Sequence, residues 1–182
     1  MAKITFSIGG IHPSDSKFSR NCAIEVLPIP ETVYISMAQH LGAPAKPVVA
    51  VGDKVKVGQV IAEPAGFISA FVHSSVSGTV KSIAPRKDIA GNLMTHIEIA
   101  VEGDEWADGI DLSDTLVTEI ADDKNTILEK IKACGVVGLG GATFPTHVKL
   151  NPAPGSVAEC LIINGAECEP FLTSDYRIML ER

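Results

Sequence analysis

No two of the four cysteines, Cys22, Cys134, Cys160 and Cys168, form a Cys-x-x-Cys pair. Iron–sulfur and zinc frameworks need thiolates at short spacing, so this segment is expected to hold neither. Isolated cysteines fit a reducing compartment, where they pack as small apolar residues. The five histidines, His12, His40, His73, His96 and His147, are equally dispersed, with no His-x-x-x-His spacing. Most are read as turn or surface residues, and His147 as a packing residue. Aromatic residues make up only 5% of the chain, so the core must come from Val, Ile, Leu and Ala, which suit strands. No apolar run approaches the roughly 20 residues that span a bilayer. Met1-Ala2-Lys3-Ile4-Thr5-Phe6 does not lead into a signal sequence, so membrane association is expected only through partners. Basic residues number 15 against 22 acidic ones, for a formal net charge of -7, and nowhere form a stripe that would track phosphates. Nucleic acid is therefore excluded as a partner, and Arg86-Lys87-Asp88 is read as a solvated loop.

What the chain does have is 182 residues, 46% of them hydrophobic and 20% charged, enough for a packed core in one domain or two small ones. Residues 1–36 read as an irregular arm, punctuated by Gly9-Gly10, Pro13, Pro28 and Pro30, with Lys17 and Arg20 as its pins. Residues 37–101 alternate short Val/Ile/Phe runs with Gly, Pro and Ser, the pattern of a small all-β unit. Residues 102–122 form an acidic linker, with Trp106 anchoring it to a neighbour. From 123 to 182 the pattern turns mixed α and β, the start of an α/β domain. Asp122 or Asp123 caps a helix bearing Ile127, Leu128 and Ile131, which Gly135 ends. A second helix opens at Pro145, with Thr143 as a cap. Cys160-Leu161-Ile162-Ile163 reads as a short buried parallel strand. Thr173 or Ser174 caps a last helix that is still running at Arg182, as if the domain continues further.

The stretch Val51-Gly52-Asp53-Lys54-Val55-Lys56-Val57-Gly58-Gln59, followed by Ser77-Gly78-Thr79-Val80, resembles the paired turns of biotinyl and lipoyl carriers, a barrel-sandwich hybrid. In those carriers a modifiable lysine sits at a hairpin tip midway between the turns. Here the tip reads Pro64-Ala65-Gly66-Phe67-Ile68, so Phe67 stands where the amine would be. Covalent biotin or lipoate is chemically excluded, and a structural or docking role is left.

Two stretches carry the functional expectation. In Gly138-Leu139-Gly140-Gly141-Ala142-Thr143-Phe144-Pro145-Thr146-His147-Val148-Lys149, bare glycine backbone lets amides approach an anion. The helix start behind them and Lys149, about one turn in, add positive charge. This suits a flavin or nucleotide phosphate, although the Gly-Lys-Ser/Thr of a Walker loop is missing. In Asn164-Gly165-Ala166-Glu167-Cys168-Glu169-Pro170, an amide and two carboxylates follow the apolar run, where open α/β sheets bind ligands. Cys168 is read as a buried spacer between the acids.

Together the two stretches resemble the flavin-binding fold of the NADH-oxidising subunit of respiratory complex I. The fuller resemblance is to the RnfC family of the Rnf electron-transport complex. It adds Gly9-Gly10-Ile11-His12-Pro13 with Lys17, and Gln39-His40-Leu41-Gly42-Ala43-Pro44-Ala45, and covers nearly the whole chain. The resemblance implies a subunit of a translocase that passes electrons between NADH, FMN and iron–sulfur clusters, coupling ferredoxin oxidation to ion pumping. It implies that Gly138, Gly140, Gly141 and Lys149 contact the FMN phosphate and ribityl chain. Asn164, Glu167 and Glu169 are implied to line the flavin ring and nicotinamide side. Ala166 stands where the complex I relatives carry an acid, which changes the hydrogen-bond set to the ring. 4Fe-4S clusters are expected only beyond residue 182. The implied partners are the other Rnf membrane subunits and ferredoxin-linked carriers. The implied place is the cytoplasmic face of the bacterial inner membrane, held peripherally through those subunits. The alternative is a non-catalytic scaffold that docks other subunits of a redox complex. A soluble hydrogenase or formate dehydrogenase flavin subunit would start with a thioredoxin-like or flavin-first segment, against the carrier-like unit at 37–101.

Overall fold

In β7 (Leu93–Val101) Ile97 and Ile99 are completely sealed from water, while Glu98 between them faces outward. That two-residue alternation makes a sheet with one wet face and one dry face. The computed structural model describes residues 14–88, 90–113, 115, 117–120 and 123–181. Around β7 lie β1 (Thr32–Ser36), β6 (Gly78–Lys87) and β3 (Lys54–Val55), in the order β1-β7-β6-β3 and antiparallel throughout. A second antiparallel sheet runs β2 (Lys46–Pro47), β4 (Val60–Glu63), β5 (Val72–His73). Ile35, Met37, Val55, Ile61, Ala62, Val72, Val76, Val80, Ile97 and Ile99 form the core, with no aromatic ring among them. Each fully buried Ile contributes about 1.5–3 kcal/mol by leaving water.

The two carrier-like turns meet in space. The Gly52 amide donates to Val80 O (2.9 Å), and the Val80 amide returns a bond to Asp53 O (2.9 Å). Between β4 and β5, Phe67 projects from the tip with 82% of its surface exposed. The motif from Gln39 to Ala45 holds this tip. The Ala43 amide donates to Ile68 O (3.0 Å), and Ser69 Oγ donates to Ala43 O (2.8 Å). His40 Nε2 accepts the Ala70 amide (3.1 Å), which leaves its ring hydrogen on Nδ1, facing Leu41 O at 3.2 Å.

Several expectations change here. Thr32–Ser36, assigned from sequence to the arm, pairs with β7 along its whole length. Its Thr-Val-Tyr-Ile run has the β-branched and aromatic residues a pleated surface favours. His40 and His96 are buried, because each finds backbone partners that satisfy its ring. Arg86 and Lys87 belong to β6, and the Arg86 guanidinium lies 3.6 Å from the centre of the Tyr34 ring. All four cysteines are exposed, Cys168 included, since none lies on an inward-facing strand position. The acidic stretch starts out stitched to the β unit. Val57 donates to Glu105 O (2.8 Å), Ala107 donates to Val57 O (2.9 Å), and Val57 bridges Trp106 in parallel.

Helix α1 (Lys124–Ala133) is capped by Asp123, whose carboxylate accepts the amides of Asn125 and Thr126. Asp122 lies outside the described residues. Gly135 ends the helix at φ +65 and packs its bare Cα against the β unit, where a Cβ would stand 2.4 Å from Phe71 O. Helix α2 (Thr146–Lys149) has a single turn, and α3 spans Ser174–Glu181. The run Cys160–Ile163 is not a buried strand. Leu161, Ile162 and Ile163 are 71%, 83% and 78% exposed. A parallel strand exists only against a neighbour that takes its backbone bonds, and among the described residues none borders this run. The chain divides into two compact units, one from Ile29 to Val157, the other joining the described residues up to Pro28 with those from Ala158 onward.

Burial holds the His73 imidazole below its ordinary value, opposed by a bond to the Ala133 backbone; burial and then Lys132 lower His147 likewise. In the unfolded chain these rings take a proton near pH 6.5, and in the fold only at lower pH. Their contribution to stability is therefore complete above that value and is lost as pH falls through the folded values. The urea midpoint of unfolding is expected to fall between about pH 7.5 and about pH 5.5, and His73→Gln to flatten that slope. An unchanged slope in the variant would remove His73 from the account.

Candidate functional site

Four of the sequence-predicted residues, Gly138, Gly140, Gly141 and Lys149, lie on one loop and its following turn. The loop is closed at its neck. Val137 bridges Pro145, and the Gly138 amide donates to Phe144 O (3.0 Å). Thr146 donates to Val136 O (3.0 Å), and Thr143 O accepts the Leu41 amide (3.3 Å), which ties the loop to the Gln39–Ala45 motif. Above this neck the chain doubles back tightly. Gly141 has φ +58, and Thr143 has φ +49, a left-handed conformation that costs a non-glycine residue about 1–2 kcal/mol.

The upper part of the loop is bare. A Cβ on Gly140 or Gly141 would meet nothing within 4 Å. The amides of Leu139, Gly140, Gly141 and Ala142 donate to no acceptor among the described residues. The Lys149 ammonium lies over the neck, 3.2 Å from where a Cβ on Gly138 would stand. Free amides beside an ammonium on unshielded backbone are what a phosphate dianion requires. These residues therefore fit the phosphate of an FMN.

Two details differ from the sequence reading. α2 is one turn of four residues, too short to accumulate a useful dipole, so the positive charge comes from Lys149 itself. Thr143 does not cap it; its hydroxyl donates to Ala142 O (2.8 Å), and the preceding position is taken by Pro145. His147 does not join the glycines; it lines a cavity of about 680 Å³ with Phe67, Phe71 and Leu128. Its Nδ1 is buried without a partner, so protonation would bury an N–H with no acceptor.

The other three, Asn164, Glu167 and Glu169, belong to the second compact unit. Asn164 Oδ1 accepts the Ala166 amide (3.0 Å), which folds the turn back on itself. Glu167 Oε1 accepts the Asp175 amide (3.0 Å) at the start of α3, with Ser174 Oγ at 3.5 Å. One carboxylate oxygen thus caps α3 in place of Thr173, whose hydroxyl is instead 2.7 Å from Ser19 Oγ. The Glu169 carbonyl accepts from Lys17 Nζ (3.0 Å), and Leu172 O accepts from the same ammonium at 2.7 Å. Phe171, at φ +71, donates its amide to Asp15 O (3.0 Å) and pairs its ring with Phe18, centroids 5.8 Å apart.

Residues 5–105 match the family described as the RnfC barrel sandwich hybrid domain. The chain belongs to the RnfC family. Residues 131–182 match the Nuo51 FMN-binding domain, which takes in both the glycine loop and the acidic turn. The RnfC signature Gly9 to Pro13 lies outside the described residues. Among curated relatives is the C subunit of the proton-translocating ferredoxin:NAD(+) oxidoreductase complex of Clostridium ljungdahlii, 47% identical over 175 residues, covering 95% of this chain and 38% of the relative. Its Na(+)-translocating counterpart from Acetobacterium woodii is 42% identical over 177 residues, covering 94% of this chain and 38% of the relative. The corresponding protein of the ion-translocating oxidoreductase complex of Rhodobacter capsulatus is 42% identical over 185 residues, covering 98% of this chain and 34% of the relative. This RnfC chain thus spans little more than a third of these relatives' length. Among the described residues no helix is long and apolar enough to cross a membrane, and no group of His, Cys, Asp or Glu is arranged to hold a metal ion.

Sequence reasoning misses the residues that fasten the acidic turn. It has Lys17 in the N-terminal signature and, with Arg20, as a pin for the arm; it gives Thr173 only a capping part, and Tyr176 and Arg177 none. The bonds of Lys17 and Arg177 span more than 150 positions of the chain, separations that no local pattern encodes.

Proposed function

We propose that this RnfC chain forms part of the flavin- and nicotinamide-handling subunit of an ion-translocating ferredoxin:NAD oxidoreductase. The observation that carries the reading is the bare loop, with four amides that find no acceptor among the described residues and the Lys149 ammonium over its neck. Gly138, Gly140, Gly141 and Lys149 hold the FMN phosphate and ribityl chain. Asn164, Glu167 and Glu169 are assigned to hydrogen bonds on the flavin ring and nicotinamide side. Bound there, FMN would link two-electron hydride exchange with the nicotinamide to one-electron transfer, chemistry the side chains here do not supply. Their work is to fix the phosphate, orient the ring and keep an acceptor in place. Glu167 has one oxygen engaged at α3 and one left for a ligand. The partners are the other Rnf membrane subunits and ferredoxin-linked carriers, which hold the complex at the cytoplasmic face of the inner membrane. 4Fe-4S clusters belong to parts of the subunit outside these 182 residues.

The test is a titration of FMN into the complete protein, followed by quenching of flavin fluorescence. Lys149→Ala is expected to weaken binding about tenfold to hundredfold, the size of a lost charge-assisted contact. Unquenched flavin with the complete protein would end this reading and leave docking, through the exposed Phe67 tip, as the role of the chain.

A further inference from the structure

We infer that the N-terminal arm is part of the nucleotide site: Arg20 and Lys17 form the cationic wall of a subsite that takes the diphosphate of the nicotinamide dinucleotide. This rests on the oxidoreductase reading above and adds residues that it does not contain.

The arm and the acidic turn are fastened at many points within one compact unit. Lys17 spans two carbonyls of the turn, Ser19 meets Thr173, Asp15 O receives Phe171, and the Glu181 carboxylate receives the Ile24 amide at 3.0 Å. Arg177 Nη1 donates to Arg20 O (3.1 Å), so the backbone of Arg20 is fixed. Its guanidinium, by contrast, has no partner among the described residues. Arg20, Lys17, Glu167 and Tyr176 border a cavity of about 230 Å³, which suits a phosphate group or two and not a whole dinucleotide.

The charges favour an anion there. Lys17 spends two of its three N–H groups on carbonyls and keeps one. Glu167 opposes the two cations, but one of its oxygens is already engaged at the start of α3. A guanidinium with its donors idle offers the forked geometry that phosphate oxygens take. Tyr176 borders the same space, 40% exposed. The strained Phe171, at φ +71 and two residues before this cavity's Thr173, is the kind of backbone cost that persists where a site over-determines it.

The experiment uses the complete protein and calorimetry with two probes: ADP-ribose, which carries the diphosphate, and adenosine, which does not. Arg20→Gln is expected to weaken ADP-ribose about tenfold while adenosine and FMN stay within about twofold. Lys17→Gln should act in the same direction, and Lys17→Arg, which keeps the charge, should retain most of the affinity. Equal loss of ADP-ribose and adenosine, or no change in either, would overturn the assignment. So would a wild-type protein that binds FMN but not ADP-ribose, with the flavin reading left standing. A protein that binds ADP-ribose in an Arg20-dependent way but takes no FMN would sustain the subsite and sink the flavin assignment instead.

Discussion

Gly42→Ala is expected to cost about 2–5 kcal/mol of stability, a left-handed penalty added to an overpacking one. Gly42 has φ +104, where a side chain is strained in any case. A Cβ there would stand 2.1 Å from Ile68 O and 2.7 Å from Ile68 Cγ2. Backbone cannot swing aside as a lysine tip can, so either the Gln39–Ala45 segment or the hairpin tip must shift. Both carry bonds that a shift would break, Ala43 to Ile68 O and His40 to the Ala70 amide. Gly91→Ala is the control, since Gly91 has a comparable φ of +86 but open space around it. Its cost should stay near about 1 kcal/mol, the conformational part alone. Urea midpoints measured on both variants decide the matter; equal losses would show that the tip yields freely and that the motif does not clamp it.

The second large effect falls on binding and spares the fold. Gly140→Val is expected to weaken FMN on the order of hundredfold, while stability moves by less than about 1 kcal/mol. The asymmetry follows from the empty space around Gly140: a Cβ meets no protein atom within 4 Å, so the fold tolerates it. A phosphate approaching the free amides of the loop would meet the two methyl groups instead. A variant that loses stability and affinity together would mark the loop as a structural turn. One that binds flavin normally would move the phosphate elsewhere.

Legibility in the sequence follows how local each cause is. The carrier-like turns can be read because glycine at fixed offsets from valine reports a tight turn within ten residues. Asp123 can be read as a cap because its partners are two and three residues on. The glycine loop is legible as a tight turn of bare backbone, but the shortness of α2 is not, since Pro145 marks a start and says nothing of the length that follows. Cys160–Ile163 has the look of a buried strand because four apolar residues in a row usually are one; whether a neighbouring strand exists is a property of the fold, outside those four letters. Thr32–Ser36 carries its own signal, masked by Pro28 and Pro30 just ahead of it. Least legible is the fastening of the acidic turn by Lys17, a contact spanning 152 positions that touches only carbonyls. Backbone oxygens are present at every residue, so no side-chain pattern announces that one of them will be used.

The chain's sole tryptophan gives the β unit an optical reporter of its own. Trp106 is held alongside Val57 by backbone bonds on either side, and it is 42% exposed. Its emission therefore follows one seam, the attachment of the acidic stretch to the turn before β4. A red shift that precedes the main unfolding transition would mean that the seam peels first, as an independent unit of opening.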